Sequence, residues 1–235
     1  MAKKPKKELP PEPEKFHCEF CKKDFNRENT FIAHACEKKR RWLWKDEKYS
    51  MMGFRAYQRF YETSMRSKKV KTQEDFINSQ YYSAFIKFGK YLTEIHAIDP
   101  PGFVDFLIRT TVPLDKWTEP RVYEIWVREL GKKEDPDRAL ERNILLMEQW
   151  ARETGEDWWD FFRKVNPQIA TSWIRKGRLS PWLVLTVGDD LIARLSDEQL
   201  GMVQELIDPN FWFAKFDQYE EEVNVIKFNM QSAGV

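Results

Sequence analysis

Cys18, Cys21, His34 and Cys36 stand in the spacing C-x2-C-x12-H-x-C, and no other cysteine occurs in the 235 residues. Thiolate sulfur and imidazole nitrogen are donors that a tetrahedral zinc ion prefers, and two short clusters about a dozen residues apart bring four of them to one point. The first unit of the chain is therefore expected to be built on zinc. Reduced core cysteines would need an apolar surround, whereas this stretch is rich in Lys, Glu, Asp and Asn. A disulfide would leave one cysteine over and would suit an oxidising compartment, for which no secretory signal is visible. His17, beside Cys18, stands as an alternative to Cys36 or His34 as a ligand.

The apolar positions sharpen the pattern. Phe25 follows Cys21 after three residues, and Phe31 follows after five more, two before His34. A unit this small closes only if such side chains pack against the metal cluster. Over roughly residues 16 to 41 the register resembles the two-cysteine, two-histidine zinc finger, which implies a hairpin carrying Cys18 and Cys21 and a helix carrying His34. One departure matters. That family spaces its last two ligands by three to five residues, but one residue separates His34 from Cys36. Two steps along a helix turn the side chain by about 200°, so the helix must end or distort near Ala35.

The family's helix register, with His34 at the seventh position, puts Arg27 just before the helix, Thr30 third and Ala33 sixth, where that family reads bases. Arg27 suits a guanine edge, and Ala33 reads almost nothing. One finger covers about three base pairs, so weak sequence specificity is expected.

Charge is divided along the chain. Residues 1–71 hold 20 Lys and Arg against 10 Asp and Glu, a balance of +10; residues 72–235 hold 19 against 28, a balance of −9. The basic end is where a polyanion would bind. Lys38, Lys39, Arg40 and Arg41 directly follow the finger and read as nucleic-acid contacts, with Arg55, Arg59, Arg66, Lys68, Lys69 and Lys71 further on. Trp42 and Trp44 stand among them, and their simpler reading is that they dock the finger on the body.

Capping residues and apolar periodicity make the rest helical. Thr72 with Asp75 forms a capping box ahead of Phe76, Ile77, Tyr81, Phe85, Phe88, Leu92 and Ile95, predicting one long helix. Asp135 with Pro136, Thr118 with Pro120, Asn166 with Pro167, Ser180 with Pro181 and Ser196 with Gln199 mark further starts, while Gly131, Gly155, Gly177 and Gly188 mark stops. The expected architecture is mainly α: a small N-terminal zinc finger of hairpin plus helix, then a compact multi-helix domain. The segments are a solvated, disordered basic tail over 1–14, finger and basic linker over 15–45, the helical domain over 46–222 and an extended tail over 223–235.

No phosphate-binding glycine loop, G-x-S-x-G or H-E-x-x-H is present. His96 near Asp99 and Asp105, and the group Glu156, Asp157 and Asp160, read better as caps and solvated faces than as catalytic sites. No enzyme activity and no small-molecule substrate are expected. No apolar run reaches the 18 or so residues of a membrane helix, so a soluble, cytoplasmic protein is expected. The run FCKKDFNRENTFIAHACEKKRRW before an aromatic-rich helical body is similar to uncharacterised zinc-finger proteins of T-even-type tailed bacteriophages and their cyanophage relatives. That resemblance implies the cytoplasm of an infected bacterium and replication or transcription proteins as partners. The functional expectation is a zinc-binding adaptor on DNA or RNA. Its competitor is a protein-interaction module whose mark would be exposure of Trp158, Trp159, Phe211, Trp212 and Phe213.

Overall fold

Proline at a first helical position sacrifices no hydrogen bond and presets φ, so it punctuates a chain into separate helices. Pro100, Pro120, Pro136, Pro167, Pro181 and Pro209 each open one here. Side-chain oxygens of Thr72, Asp99, Asp135, Asn166, Ser180, Ser196 and Asp208 accept backbone N–H groups at helix starts. The computed structural model describes residues 15–64 and 69–235. The tail expected over 1–14, with Arg66 and Lys68, lies outside the described residues.

A two-stranded antiparallel hairpin, β1 (Phe16–His17) and β2 (Asp24–Phe25), opens the chain. Two short helices follow, α1 (Glu28–Ile32) and α2 (Glu37–Leu43). Five helices then surround a first core: α3 (Lys48–Thr63), α4 (Gln73–Ile77), α5 (Tyr82–Glu94), α6 (Pro100–Arg109) and α7 (Pro120–Lys133). Phe76, Phe85, Phe88, Phe103, Leu107 and Trp117 are fully buried there. A second core joins α8 (Pro136–Thr154), α9 (Phe161–Lys164), α10 (Pro167–Arg175), α11 (Pro181–Val187), α12 (Asp189–Ile192), α13 (Asp197–Val203), α14 (Pro209–Gln218) and α15 (Glu220–Ser232). The chain is thus mainly α, and its strands among the described residues are confined to the hairpin.

Polar links, buried or half-buried, join the two cores. The Tyr123 hydroxyl accepts from Ile98 N–H at 3.0 Å and donates to the Lys176 carbonyl at 3.2 Å. Burial pushes its phenol well above the usual range. Arg142 forms a forked pair with Glu134 and also donates to the Arg178 carbonyl. Lys215 Nζ donates to the Gly131 carbonyl at 2.8 Å, placing a cation at the end of α7.

Three expectations change. The long helix read from Thr72 to Ile95 is two helices, because Asn78 Nδ2 donates to the Glu74 carbonyl and Ser79 Oγ accepts from Tyr81 N–H, competing with helix continuation. Gly131 does not stop α7, which runs on to Lys133 with Glu134 as its cap. The extended tail expected over 223–235 is instead mostly the helix α15: Val223, Ile226 and Met230 are buried at helical spacing, and Glu220, Glu221 and Glu222 occupy the favoured first turn.

Candidate metal centre and basic face

The hairpin turn brings the first pair of donors together. Cys18 N–H donates to the Lys23 carbonyl and Lys22 N–H to the Cys18 carbonyl, with Lys22 in the left-handed region at φ 61°. Helix α1 stops at Ile32 with Ala33 as its cap, so His34 lies beyond the helix rather than on it. The expected break therefore comes two residues before Ala35. Cys36 then begins α2, and its Sγ accepts Lys39 N–H at 3.4 Å. Ending one helix and starting another lets ligands separated by one residue face the same point.

The four donor atoms lie within 4.8 Å of one another. Cys18 Sγ is 3.9 Å from Cys36 Sγ, and Cys21 Sγ is 3.2 Å from His34 Nε2. A tetrahedral ion with metal–sulfur bonds of about 2.3 Å has sulfur–sulfur edges of about 3.8 Å, so the donor set fits a metal ion of that size. Cys18 is 3% exposed. The Cys21 backbone N–H on its sulfur, helped by Phe20 N–H, brings its thiol down to about 6, while desolvation pushes Cys21 up. Cys18 is thus predisposed to the thiolate form that ligates metal.

His17 is excluded from the cluster. It pairs with Asp24 across the hairpin, Nδ1 to Oδ1 at 2.7 Å. Phe25 packs on the His34 ring at 4.6 Å, and Phe31 closes the other side against Phe25 at 6.0 Å and Phe16 at 5.9 Å. Phe16 joins this packing from β1, two residues before Cys18, a place marked in the sequence only by its position on the strand that leads to the cysteine.

The basic residues divide into two groups. Arg27 caps α1 without a side-chain bond and is exposed; Lys38 and Arg40 are exposed on α2, and Lys39 is half-buried. Arg41 differs. It is 17% exposed, paired with Glu37, donates to the Ile77 carbonyl at 2.7 Å and lies 4.2 Å over the Tyr82 ring. Docking of the N-terminal unit on the helical body falls to Arg41, whereas Trp42 and Trp44 remain 38% and 49% exposed. Lys45 stacks over Trp42, which leans on Phe20.

Other titratable groups are tied into structure. His96 Nδ1 sits 3.1 Å from the Glu94 carbonyl, Asp99 caps α6, and Asp105 pairs with Arg59. Asp160 is held by Lys164 at 2.9 Å and Arg163 at 2.8 Å, and Glu156 by Lys164. Of the five aromatics named as a protein-binding mark, Trp159, Phe211 and Phe213 are exposed, Trp158 is half-buried and Trp212 is buried. No helix among the described residues is long and apolar enough to cross a membrane. Comparison of the chain with protein-family models, curated proteins and solved structures gives no match.

Proposed function

We propose that the chain is a zinc-binding adaptor that associates with DNA or RNA with weak sequence specificity. Three sulfurs and an imidazole in a tetrahedral-sized cluster suit zinc above the harder divalent ions. The ion would be structural, held by Cys18, Cys21, His34 and Cys36, and would fix the segment that carries the basic residues. The observation that carries the reading is the basic face beside the centre: Lys38 and Arg40 stand exposed just after ligand Cys36, with Arg27 on the neighbouring helix, and none of the three has an ion-pair partner among the described residues. Cations left unpaired beside a metal-fixed fold suit phosphate contact. Replication or transcription proteins are the partners such an adaptor would serve.

Polarisation of labelled mixed-sequence DNA and RNA, single-stranded and duplex, across a salt series tests this. Affinity should fall steeply with salt and drop when zinc is removed. No binding at low salt ends the reading. The protein-interaction alternative would then lead, supported by exposed Trp159, Phe211 and Phe213 on the acidic body.

A further inference from the structure

Docking through Arg41 leaves a groove between α2 and α5. A depression of about 180 Å³, lined by Arg40, Trp44, Tyr49, Tyr82 and Lys90, runs into a second of about 620 Å³ along α5, where Lys87 and Tyr91 join the lining. The two share Tyr82, Ser83, Ile86 and Lys90. Trp44 is 49% exposed at one end, and Lys90 Nζ lies 5.1 Å over the Tyr49 ring. Among the described residues Arg40, Lys87 and Lys90 have no carboxylate partner, while one lining acid, Glu37, is taken up by Arg41; the other, Glu94, lies one turn beyond Lys90 on α5.

We propose that this groove binds single-stranded nucleic acid, its phosphates along Arg40, Lys87 and Lys90 and a base stacked on Trp44; this rests on the nucleic-acid function proposed above. The combination selects the class. Cations alone would serve any polyanion, but an exposed indole beside them uses a flat π-face, which an unpaired base offers and a duplex keeps inside its stack. The finger itself is poorly built for reading a duplex. Helix α1 has five residues, about 7.5 Å of helix, and Ala33 falls at its cap, outside the regular turns. Lys87 and Lys90 sit three apart on α5 and so share a face.

The test is polarisation with the full chain and labelled single-stranded DNA, single-stranded RNA and duplex DNA of about 16 nucleotides. Both single strands should bind more tightly than the duplex; whichever of DNA or RNA binds better identifies the natural form. Trp44→Ala should weaken single-strand binding by about 5- to 150-fold, as loss of one stacked base does, and Trp44→Phe should restore most of it. Lys87→Ala with Lys90→Ala should lower the slope of log affinity against log salt by about 1.4. Zinc content and helix signal should be unchanged in all three. Duplex bound as tightly as single strands, or polyglutamate competing as well as a single strand, overturns the proposal. So does binding that ignores these variants while falling with Arg27→Ala and Lys38→Ala, an outcome that leaves the broader reading standing. No binding of any nucleic acid at low salt removes both.

Discussion

Arg41 Nη1 donates to the Ile77 carbonyl oxygen at 2.7 Å, across 36 positions of chain. That bond ties the segment after the cysteine–histidine cluster to the end of α4 and takes one of four consecutive cations out of play. Arg41→Ala should therefore destabilise the protein, by about 1–3 kcal/mol for the lost charged hydrogen bond, and leave the salt slope of nucleic-acid binding unchanged. Lys38→Ala with Arg40→Ala should do the reverse: unchanged stability, and a slope lower by about 1.8 on duplex DNA or about 1.4 on single strands. Urea unfolding and salt-dependent polarisation on the same variants separate the two roles, and a large slope change in Arg41→Ala would contradict the division.

Purified protein should carry one zinc per chain. Apparent binding energies of about 10–16 kcal/mol in such sites exceed what the half-buried Phe16, Phe25 and Phe31 can supply by burial, so chelation should unfold residues 16 to 41. Both helical cores lie outside that segment, and most helix signal should survive. Cys36→Ser should lower zinc affinity in a competition titration, whereas His17→Ala, which breaks only the pair with Asp24, should not. The opposite ranking would transfer the ligand role to His17.

The parts of this molecule that were legible in the sequence are those set by neighbouring residues. Donor spacing marked the cluster that could hold a metal ion, the mismatch of His34 and Cys36 marked a helix break, and Thr72, Asp135, Asn166, Ser180 and Ser196 each cap the helix they announce. What depends on distant partners was not legible. Gly131 resembles a stop until Lys215, far along the chain, donates to its carbonyl while the helix runs on to Lys133. The alternation of Val223 and Val225 resembles a strand until burial of Val223, Ile226 and Met230 settles a helical period. The groove draws on α2, α3 and α5, and no local pattern joins Trp44, Tyr49 and Lys90.

The capping box of α4 should show in the acid limb of the stability curve. Asp75 Oδ2 accepts from Thr72 N–H at 2.9 Å and from its hydroxyl at 3.0 Å. Those bonds, the backbone one foremost, with Lys69 and Lys71 nearby, hold the carboxyl below the usual range. A group whose folded value is depressed stabilises fully above its unfolded value of about 3.9 and loses that contribution as pH falls through the folded value. The gap in urea midpoint between wild type and Asp75→Asn should thus be widest above about pH 5 and narrow progressively as pH falls below the unfolded value of about 3.9. A gap independent of pH would remove the carboxylate from the argument.

Gly53 and Gly89 let α3 and α5 meet backbone to backbone. A methyl group at Gly89 would lie 2.0 Å from the Tyr49 carbonyl oxygen and 2.7 Å from the Gly53 nitrogen; one at Gly53 would lie 2.5 Å from the Phe85 carbonyl oxygen. Backbone cannot swing aside as a side chain does, so the helices would have to separate. Alanine at a helical glycine ordinarily gains up to about 1 kcal/mol, and overpacking ordinarily costs about 1–3 kcal/mol. With a clash this close to backbone the second effect wins, and Gly89→Ala should lower stability. Gly201, on α13, supplies the control, since a methyl group there meets nothing within 4 Å. Gly201→Ala should stabilise by about 0.5–1 kcal/mol. The same displacement would shift Tyr49 relative to Lys90, so Gly89→Ala should also weaken single-strand binding while Gly201→Ala leaves it intact. Thermal melts of the two variants side by side check the packing claim, and a stabilised Gly89→Ala would show that α3 and α5 do not approach so closely.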